Sequence, residues 1–386
     1  MNPLFEDLMR RATGLTQGGR LDEATQAIQR ALGAAGLAPR TGPSAAAGPT
    51  SPWNPAPSAE RDDLVVDVEA RVIDDAPQLR TAFGTQPRED DAVPGTKPAV
   101  DQWTDGHFSH QHRQIAYKLF VPAKGTGQAR PLLLMLHGCT HDPEDFAAGT
   151  QMNRLASEQG FLVLYPAQTQ HANSSKCWNW FKPQHQQRGR GEPALLAALA
   201  QGVAAARSAD PDRIYVAGLS AGGAMADILG QRYPDVFAAA GVHSGLPAGA
   251  ASDLVSAMAA MKGGPAPGSA SGGGVPTIVF HGDADATVHA RNGEALAAGA
   301  LHGRADAGMP SQRSGRSPGG RAFTQRVHLD IEGRPRVEHW LLHGAGHAWS
   351  GGSARGSFTD PAGPDASAEM LRFFLAHRRA TEPGRT

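Results

Sequence analysis

Ser220 lies in Gly218-Leu219-Ser220-Ala221-Gly222, a G-x-S-x-G whose three fixed positions mean little alone. The flanks give it weight. An apolar run, Ile214-Tyr215-Val216-Ala217, leads in, and AGGAMADILGQRY, which reads as an amphipathic helix, leads out. A strand, a sharp turn and a helix are what a nucleophile elbow requires, because the turn lifts a serine hydroxyl to the edge of a sheet above a helix N-terminus. The competing reading is a serine that merely caps a helix. As a nucleophile, Ser220 needs a base to take its proton, an acid to orient the base, and donors for the oxyanion that forms. The Ala221 N–H, directly after the serine, is one expected donor. The second should come from a loop after an earlier strand, and Leu136-His137-Gly138-Cys139 follows LLLM directly, which points to the Cys139 N–H. An ordinary glycine turn is the alternative there.

The acid is expected after a strand downstream of Ser220. Phe280-His281-Gly282-Asp283-Ala284-Asp285-Ala286-Thr287-Val288 follows the apolar PTIV and offers two aspartates. Asp285, beyond the turn, is the expected acid, and Asp283 the expected turn stabiliser. Sixteen histidines make any lone one uninformative. His347 comes after the acid, behind the strand-like HWLL, in the glycine-rich HGAGHAWSGG, and is the expected base; His343 is its rival. His137 and His281 belong to H-G turns and read as structural. A metal is not expected. His107, His110 and His112 lie in a polar stretch, and the four-residue spacing of His339, His343 and His347 would need a helix that Gly344 and Gly346 disfavour.

These positions imply a particular scaffold. Strand-like runs at 115–121, 132–137, 161–165, 213–217, 237–243, 276–281 and 337–342 alternate with helix-like runs at 152–159, 193–209, 221–232, 291–300 and 365–378. Such alternation predicts a mostly parallel sheet with helices on both faces. Glycine-rich stretches near 262–274 and 302–320 read as surface loops. Upstream, Leu4, Phe5, Leu8 and Met9, then Leu21, Ala24, Ile28 and Leu32, predict an N-terminal helical segment over 1–34. Residues 35–60, rich in Ala, Pro, Gly and Ser, read as a flexible linker. Residues 61–105 are a polar lead-in without a clear assignment, and 106–380 form the expected catalytic domain.

Among the 386 residues, 36 Lys and Arg balance 37 Asp and Glu, without a basic block, which argues against nucleic acid as a partner and fits a weakly charged substrate. No run reaches the length of a membrane span. Cys139 and Cys177 are too few for a disulfide scaffold or a structural zinc site. The N-terminus lacks the features of a secretion signal, which by itself argues for the cytoplasm. The oligomeric state is not readable.

Together these residues resemble the poly(3-hydroxybutyrate) depolymerase family of esterases. The resemblance rests on LHGCT (136–140), CWNWF (177–181), DPDRIYVAGLSAGGAMA (210–226), FHGDADATV (280–288), GAGHAWSGG (344–352) and GSFTDPAGPDASAEMLRFF (356–374), and covers about 105–378. It implies an α/β-hydrolase fold and cofactor-free hydrolysis of short-chain hydroxyalkanoate esters, polymer or oligomer, through an acyl-enzyme. Ser220, Asp285 and His347 occupy its triad positions. It also implies a disulfide between Cys139 and Cys177, pinning the oxyanion loop to the CWNW loop, with two reduced thiols as the alternative. Trp178, Trp180 and Trp349 are candidates for an aromatic wall along the acyl chain or for core packing. Many members of the family are secreted, so the resemblance implies an extracellular enzyme. Feruloyl and acetylxylan esterases share the GLSAGG and HGC patterns, which keeps a carbohydrate-side-chain esterase as the alternative. From another class, a catalytically inactive binding protein on the same fold is the third reading.

Overall fold

A computed structural model describes residues 100–125, 128–266, 273–303 and 309–379. The expected N-terminal helices, the linker and all but the last six residues of the polar lead-in lie outside the described residues.

The sheet is built from strands whose two faces are both apolar. In β3 (Leu132–Leu136), Leu132, Leu134 and Leu136 enter one core, whereas Leu133 and Met135 enter the other. The same alternation runs through β4 (Leu162–Ala167), with Leu162 and Leu164 against Val163 and Tyr165. It recurs in β5 (Ile214–Leu219), with Ile214 and Val216 against Tyr215, Ala217 and Leu219. Side chains of period two that are apolar on both faces demand cover on both faces. On one face the cover is α3 (Gly191–Ala206) and α4 (Ala221–Arg232); on the other it is α1 (Pro143–Thr150), α2 (Met152–Gln159) and α7 (Ala366–Leu375). Each large side chain fully withdrawn from water contributes on the order of 2 kcal/mol. Residues 221–230 of α4 are buried all round, so this helix is a core helix and not the amphipathic one the sequence suggests.

Strands β6 (Ala239–His243), β7 (Thr277–Gly282) and β10 (Pro335–Leu342) complete a parallel centre in the order β4-β3-β5-β6-β7-β10. Antiparallel strands extend both edges. β1 (Gln102–His110) and β2 (Arg113–Val121) flank β4, and β9 (Ala322–Leu329) and β8 (Ser311–Arg316) flank β10. This is the α/β-hydrolase fold. One expectation fails: the 302–320 stretch is not all surface loop, because 311–316 pairs with β9 as an edge strand that is mostly exposed. Helices α5 (Leu254–Gly263) and α6 (Arg291–Leu301) follow β6 and β7. The parallel strands bring their carboxyl ends to one edge, where Ser220, the 282–288 turn and the 343–350 loop emerge.

Candidate active site

Ser220 is the single residue between β5 and α4, with φ 58° and ψ −119°. A non-glycine residue at positive φ is held there only by its surroundings. Two backbone bonds hold it: the Ser220 N–H donates to His243 O at 2.9 Å, and Ser220 O accepts from Ala224 N–H at 2.9 Å. The turn also requires glycine at 222, where a Cβ would lie 2.0 Å from Leu136 O, in backbone that has no room to move. The Ser220 side chain makes no capping bond to α4, so the helix-capping reading does not describe its hydroxyl.

The two aspartates and two histidines that competed in the sequence pair off. His347 Nδ1–H donates to Asp285 Oδ2 at 2.7 Å. A carboxylate only accepts, so this bond places the ring proton on Nδ1 and leaves Nε2 free to accept one. Asp285 Oδ1 accepts from the amides of Thr287 (2.9 Å) and Val288 (2.8 Å), and its side chain is fully buried. Burial acts most strongly and upward on that carboxyl. The His347 bond and charge, with the Val288 amide, outweigh it and hold the group below the ordinary carboxylate range. The second pair is Asp283 and His343, at 2.9 Å, and both side chains are 38–40% exposed. His343 Nε2 is engaged by Thr324 Oγ1 on β9 at 2.9 Å, and Asp283 Oδ1 accepts the Gly344 N–H at 2.6 Å. Arg321 adds a bond to Gly344 O at 2.9 Å. This outer pair fastens the loop that carries His347.

Close packing joins the acid turn to that loop. A Cβ at Gly282 would sit 2.2 Å from Ala345 O, and the Ala284 N–H donates to the same carbonyl at 3.1 Å. His281 lies behind the acid, donating from Nε2 to Val288 O at 2.7 Å, and burial holds its imidazole below the ordinary value. His243, stacked between Phe280 and Trp349, accepts the Ser350 N–H on Nε2 at 3.0 Å; burial pushes it down to about 3. Its ring lies within electrostatic reach of His347 while its carbonyl holds the Ser220 amide. Ser220 and His347 thus stand in two loops that both reach His243, one through the Ser220 amide and one through electrostatic contact. No hydrogen bond joins them among the described residues.

On the oxyanion side, Ala221 is the first residue of α4, so its N–H has no partner within the helix. The Cys139 N–H donates to no backbone carbonyl among the described residues. Gly138 lies close to the serine: a Cβ there would be 3.7 Å from Ser220 Cβ. Cys139 and Cys177 form a disulfide. The two loops it joins are also tied by Thr140 N–H to Ser175 O at 2.7 Å and Trp178 Nε1–H to His137 O at 3.0 Å.

The aromatic-wall reading of Trp178, Trp180 and Trp349 is corrected in favour of packing. All three are buried, and the Trp349 indole N–H is spent on Ser367 Oγ at 3.0 Å. The aromatic ring that is exposed near the site is Phe358, 49% accessible at φ 49° and edge-on to the His141 ring at 5.1 Å. A second feature not anticipated from sequence is Glu192, buried at the start of α3. It accepts from Asn179 N–H (2.8 Å), Asn179 Nδ2 (2.7 Å) and Gln168 Nε2 (2.8 Å), and lies 3.2 Å from His185 Nδ1. It anchors the CWNW loop from below; an acidic residue in the first turn of an apolar helix was its only sequence signal.

The family model described as Esterase PHB depolymerase matches residues 115–317. The chain is 34% identical over 232 residues to poly(3-hydroxyalkanoate) depolymerase C of Paucimonas lemoignei, covering 56% of this chain and 54% of that protein. It is 35% identical over 151 residues to feruloyl esterase B of Thermothelomyces thermophilus, covering 39% and 50%. Among solved structures, the acetyl xylan esterase from Aspergillus awamori superposes with a TM-score of 0.56 at 16% identity, over 71% of this chain and 99% of that one, a likeness of fold. The chain spans about half the length of the curated relatives it matches.

Proposed function

The chain belongs to the esterase PHB depolymerase family, and on that premise we propose that it is a serine esterase acting on short-chain hydroxyalkanoate esters, polymer or oligomer. The observation that carries the reading is the pairing of half-buried His347 with the buried Asp285 carboxylate, at the same sheet edge as a serine held at positive φ whose side chain makes no capping bond. In the proposed cycle, Ser220 Oγ attacks the ester carbonyl carbon while His347 Nε2 takes its proton. The amides of Cys139 and Ala221 receive the oxyanion. Collapse expels the alcohol, protonated by His347, and leaves an acyl group on Ser220. Water, deprotonated by the same nitrogen, attacks that acyl group and releases the acid.

Asp285 stays ionised throughout and keeps the His347 proton on Nδ1. Phe358 offers apolar surface beside the site for an acyl chain. The likeness to feruloyl esterase B supports a second reading, a carbohydrate-side-chain esterase with the same machinery. The test is a hydrolysis panel of 3-hydroxybutyrate oligomers, amorphous polymer granules, p-nitrophenyl butyrate, methyl ferulate and acetylated xylan, each with a Ser220→Ala control. Serine-dependent release of 3-hydroxybutyrate supports the first reading. Turnover confined to ferulate or acetyl esters moves the substrate to polysaccharide, and turnover that survives in the variant removes the mechanism.

A further inference from the structure

The oxyanion loop is held by imidazoles on both sides of one glycine. Gly138 O accepts from His137 Nδ1–H at 2.7 Å, and the Gly138 N–H donates to His141 Nδ1 at 3.3 Å. A carbonyl only accepts and an amide N–H only donates, so the two contacts fix the rings in opposite tautomers. His137 carries its proton on Nδ1, and its bare Nε2 accepts the Gln168 N–H at 3.1 Å. His141 carries its proton on Nε2, leaving Nδ1 bare for Gly138. In a trans peptide the C=O and the following N–H point in opposite directions. Pinning Gly138 O therefore aims the Cys139 N–H away from His137. Pinning the Gly138 N–H stops the preceding peptide from rotating.

We infer that His141 is a positioning residue for ester hydrolysis, acting as a neutral acceptor that, with His137, aims the Cys139 amide at the oxyanion. The inference rests on the esterase reading above. His141 is suited to the task because its ring is immobilised. It is buried, stacked on Phe146 at 5.8 Å and met edge-on by Phe358 at 5.1 Å. Its Nε2 lies 3.4 Å from Asp145 Oδ2, an electrostatic contact that lacks hydrogen-bond alignment. Asp145 is in turn held by Ser357, whose N–H reaches Oδ1 at 2.8 Å and whose hydroxyl reaches Oδ2. The 351–358 loop and the oxyanion loop are thereby latched through one imidazole.

Burial is the largest influence on the His141 ring and favours its neutral form, with His347 acting in the same direction. Asp145, the Ser357 backbone and Asp142 oppose it. For His137, burial dominates and lowers it to about 4, with His141 and Lys176 adding to the effect and the Gly138 bond and Asp142 opposing it. Protonating His141 would turn its Nδ1 from an acceptor into a donor facing another donor, and the loop would lose its aim.

Two substitutions separate this role from simple packing. His141→Phe keeps a stacked ring and removes the acceptor; His141→Asn returns an amide oxygen near the Nδ1 position. On p-nitrophenyl butyrate, the Phe variant should lose kcat by about tenfold or more with KM changed less than about threefold, since a lost oxyanion donor costs about 10²–10³ and a misaimed one less. The Asn variant should recover most of that loss. Thermal unfolding checks that both are folded. A Phe variant within twofold of wild type, or an Asn variant no better than Phe, overturns the inference. The imidazole ¹⁵N shifts of the full chain give a reading independent of turnover. His137 protonated on Nδ1 and His141 on Nε2 support the clamp even if the enzyme acts on none of these esters. The reverse tautomer at His141 refutes it even if it acts on all of them.

Discussion

Reduction of the Cys139–Cys177 disulfide separates what stabilises the oxyanion loop from what shapes it. The bond spans 38 residues of sequence, and closing a loop of that size in the unfolded chain corresponds to about 4 kcal/mol at about 25 °C in the chain-entropy model. That is a large share of the roughly 5–15 kcal/mol that holds a typical domain together. Reduction acts mainly on the unfolded chain, because the folded loops keep their other ties. These are Thr140 N–H to Ser175 O, Trp178 Nε1–H to His137 O, Gln168 N–H to His137 Nε2 and Gln168 Nε2–H to Cys177 O. Urea unfolding with and without dithiothreitol should therefore differ by about 3–4 kcal/mol. In native buffer, kcat on p-nitrophenyl butyrate should fall by less than about tenfold, a barrier change under about 1.4 kcal/mol. A stability change below about 1 kcal/mol would refute the entropic argument. A collapse of kcat without unfolding would refute the claim that hydrogen bonds alone preserve the loop.

Three other outcomes follow from the site and its supports. Asp285→Asn, which removes the carboxylate acceptor facing His347 Nδ1, should leave the fold intact and cut kcat by about 10⁴ through the wrong tautomer; thermal unfolding and steady-state kinetics check both halves. Gly222→Ala, with its Cβ driven to 2.0 Å from Leu136 O, should cost more than about 3 kcal/mol or prevent accumulation of folded protein, as read by circular dichroism. The pH dependence of stability has two opposed parts. Buried His137 and His339, lowered to about 4, and His243, lowered to about 3, must charge on unfolding, so the stability they supply is complete above about 6.5 and is lost as pH falls towards those values. Asp227, pushed up to about 6 chiefly by burial, works the other way: stability falls as pH rises from the ordinary carboxylate value through about 6. Asp227→Asn should therefore gain on wild type between pH 4 and 7 by on the order of 2 kcal/mol, measured by urea unfolding across that range.

The parallel centre of the fold was legible because its strands are apolar on both faces and alternate with helix-like runs. The predicted 132–137, 152–159, 221–232 and 291–300 segments correspond closely to β3, α2, α4 and α6. Of the antiparallel edge strands, only β2 was legible, from the apolar 115–121 run; β1, β8 and β9 were not. β8 reads SQRSGR and is nearly all exposed, so nothing in its pattern distinguishes an edge strand from a loop. β1, with Trp103 and Phe108 as its aromatic residues, half-hides one face only. At the site, residue types and chain order selected Asp285 and His347, which the structure pairs. That Asp283 and His343 bond to one another is a matter of register between two loops some sixty residues apart, which no local pattern encodes. The tryptophans misled for a related reason: aromatic residues flanking a catalytic motif look the same whether they line a pocket or fill the core behind it. His141 carried no signal, and Glu192 only its place in the first turn of an apolar helix, because each acts by a hydrogen bond to a loop that is placed only once the chain has folded.

The most direct test of the account is the identity of the labelled residue after reaction with a fluorophosphonate, read by peptide mass spectrometry on the full chain. The account predicts one adduct, on the peptide carrying Ser220, absent in Ser220→Ala together with all ester turnover. An adduct on another residue, or ester hydrolysis that persists in Ser220→Ala, would contradict it.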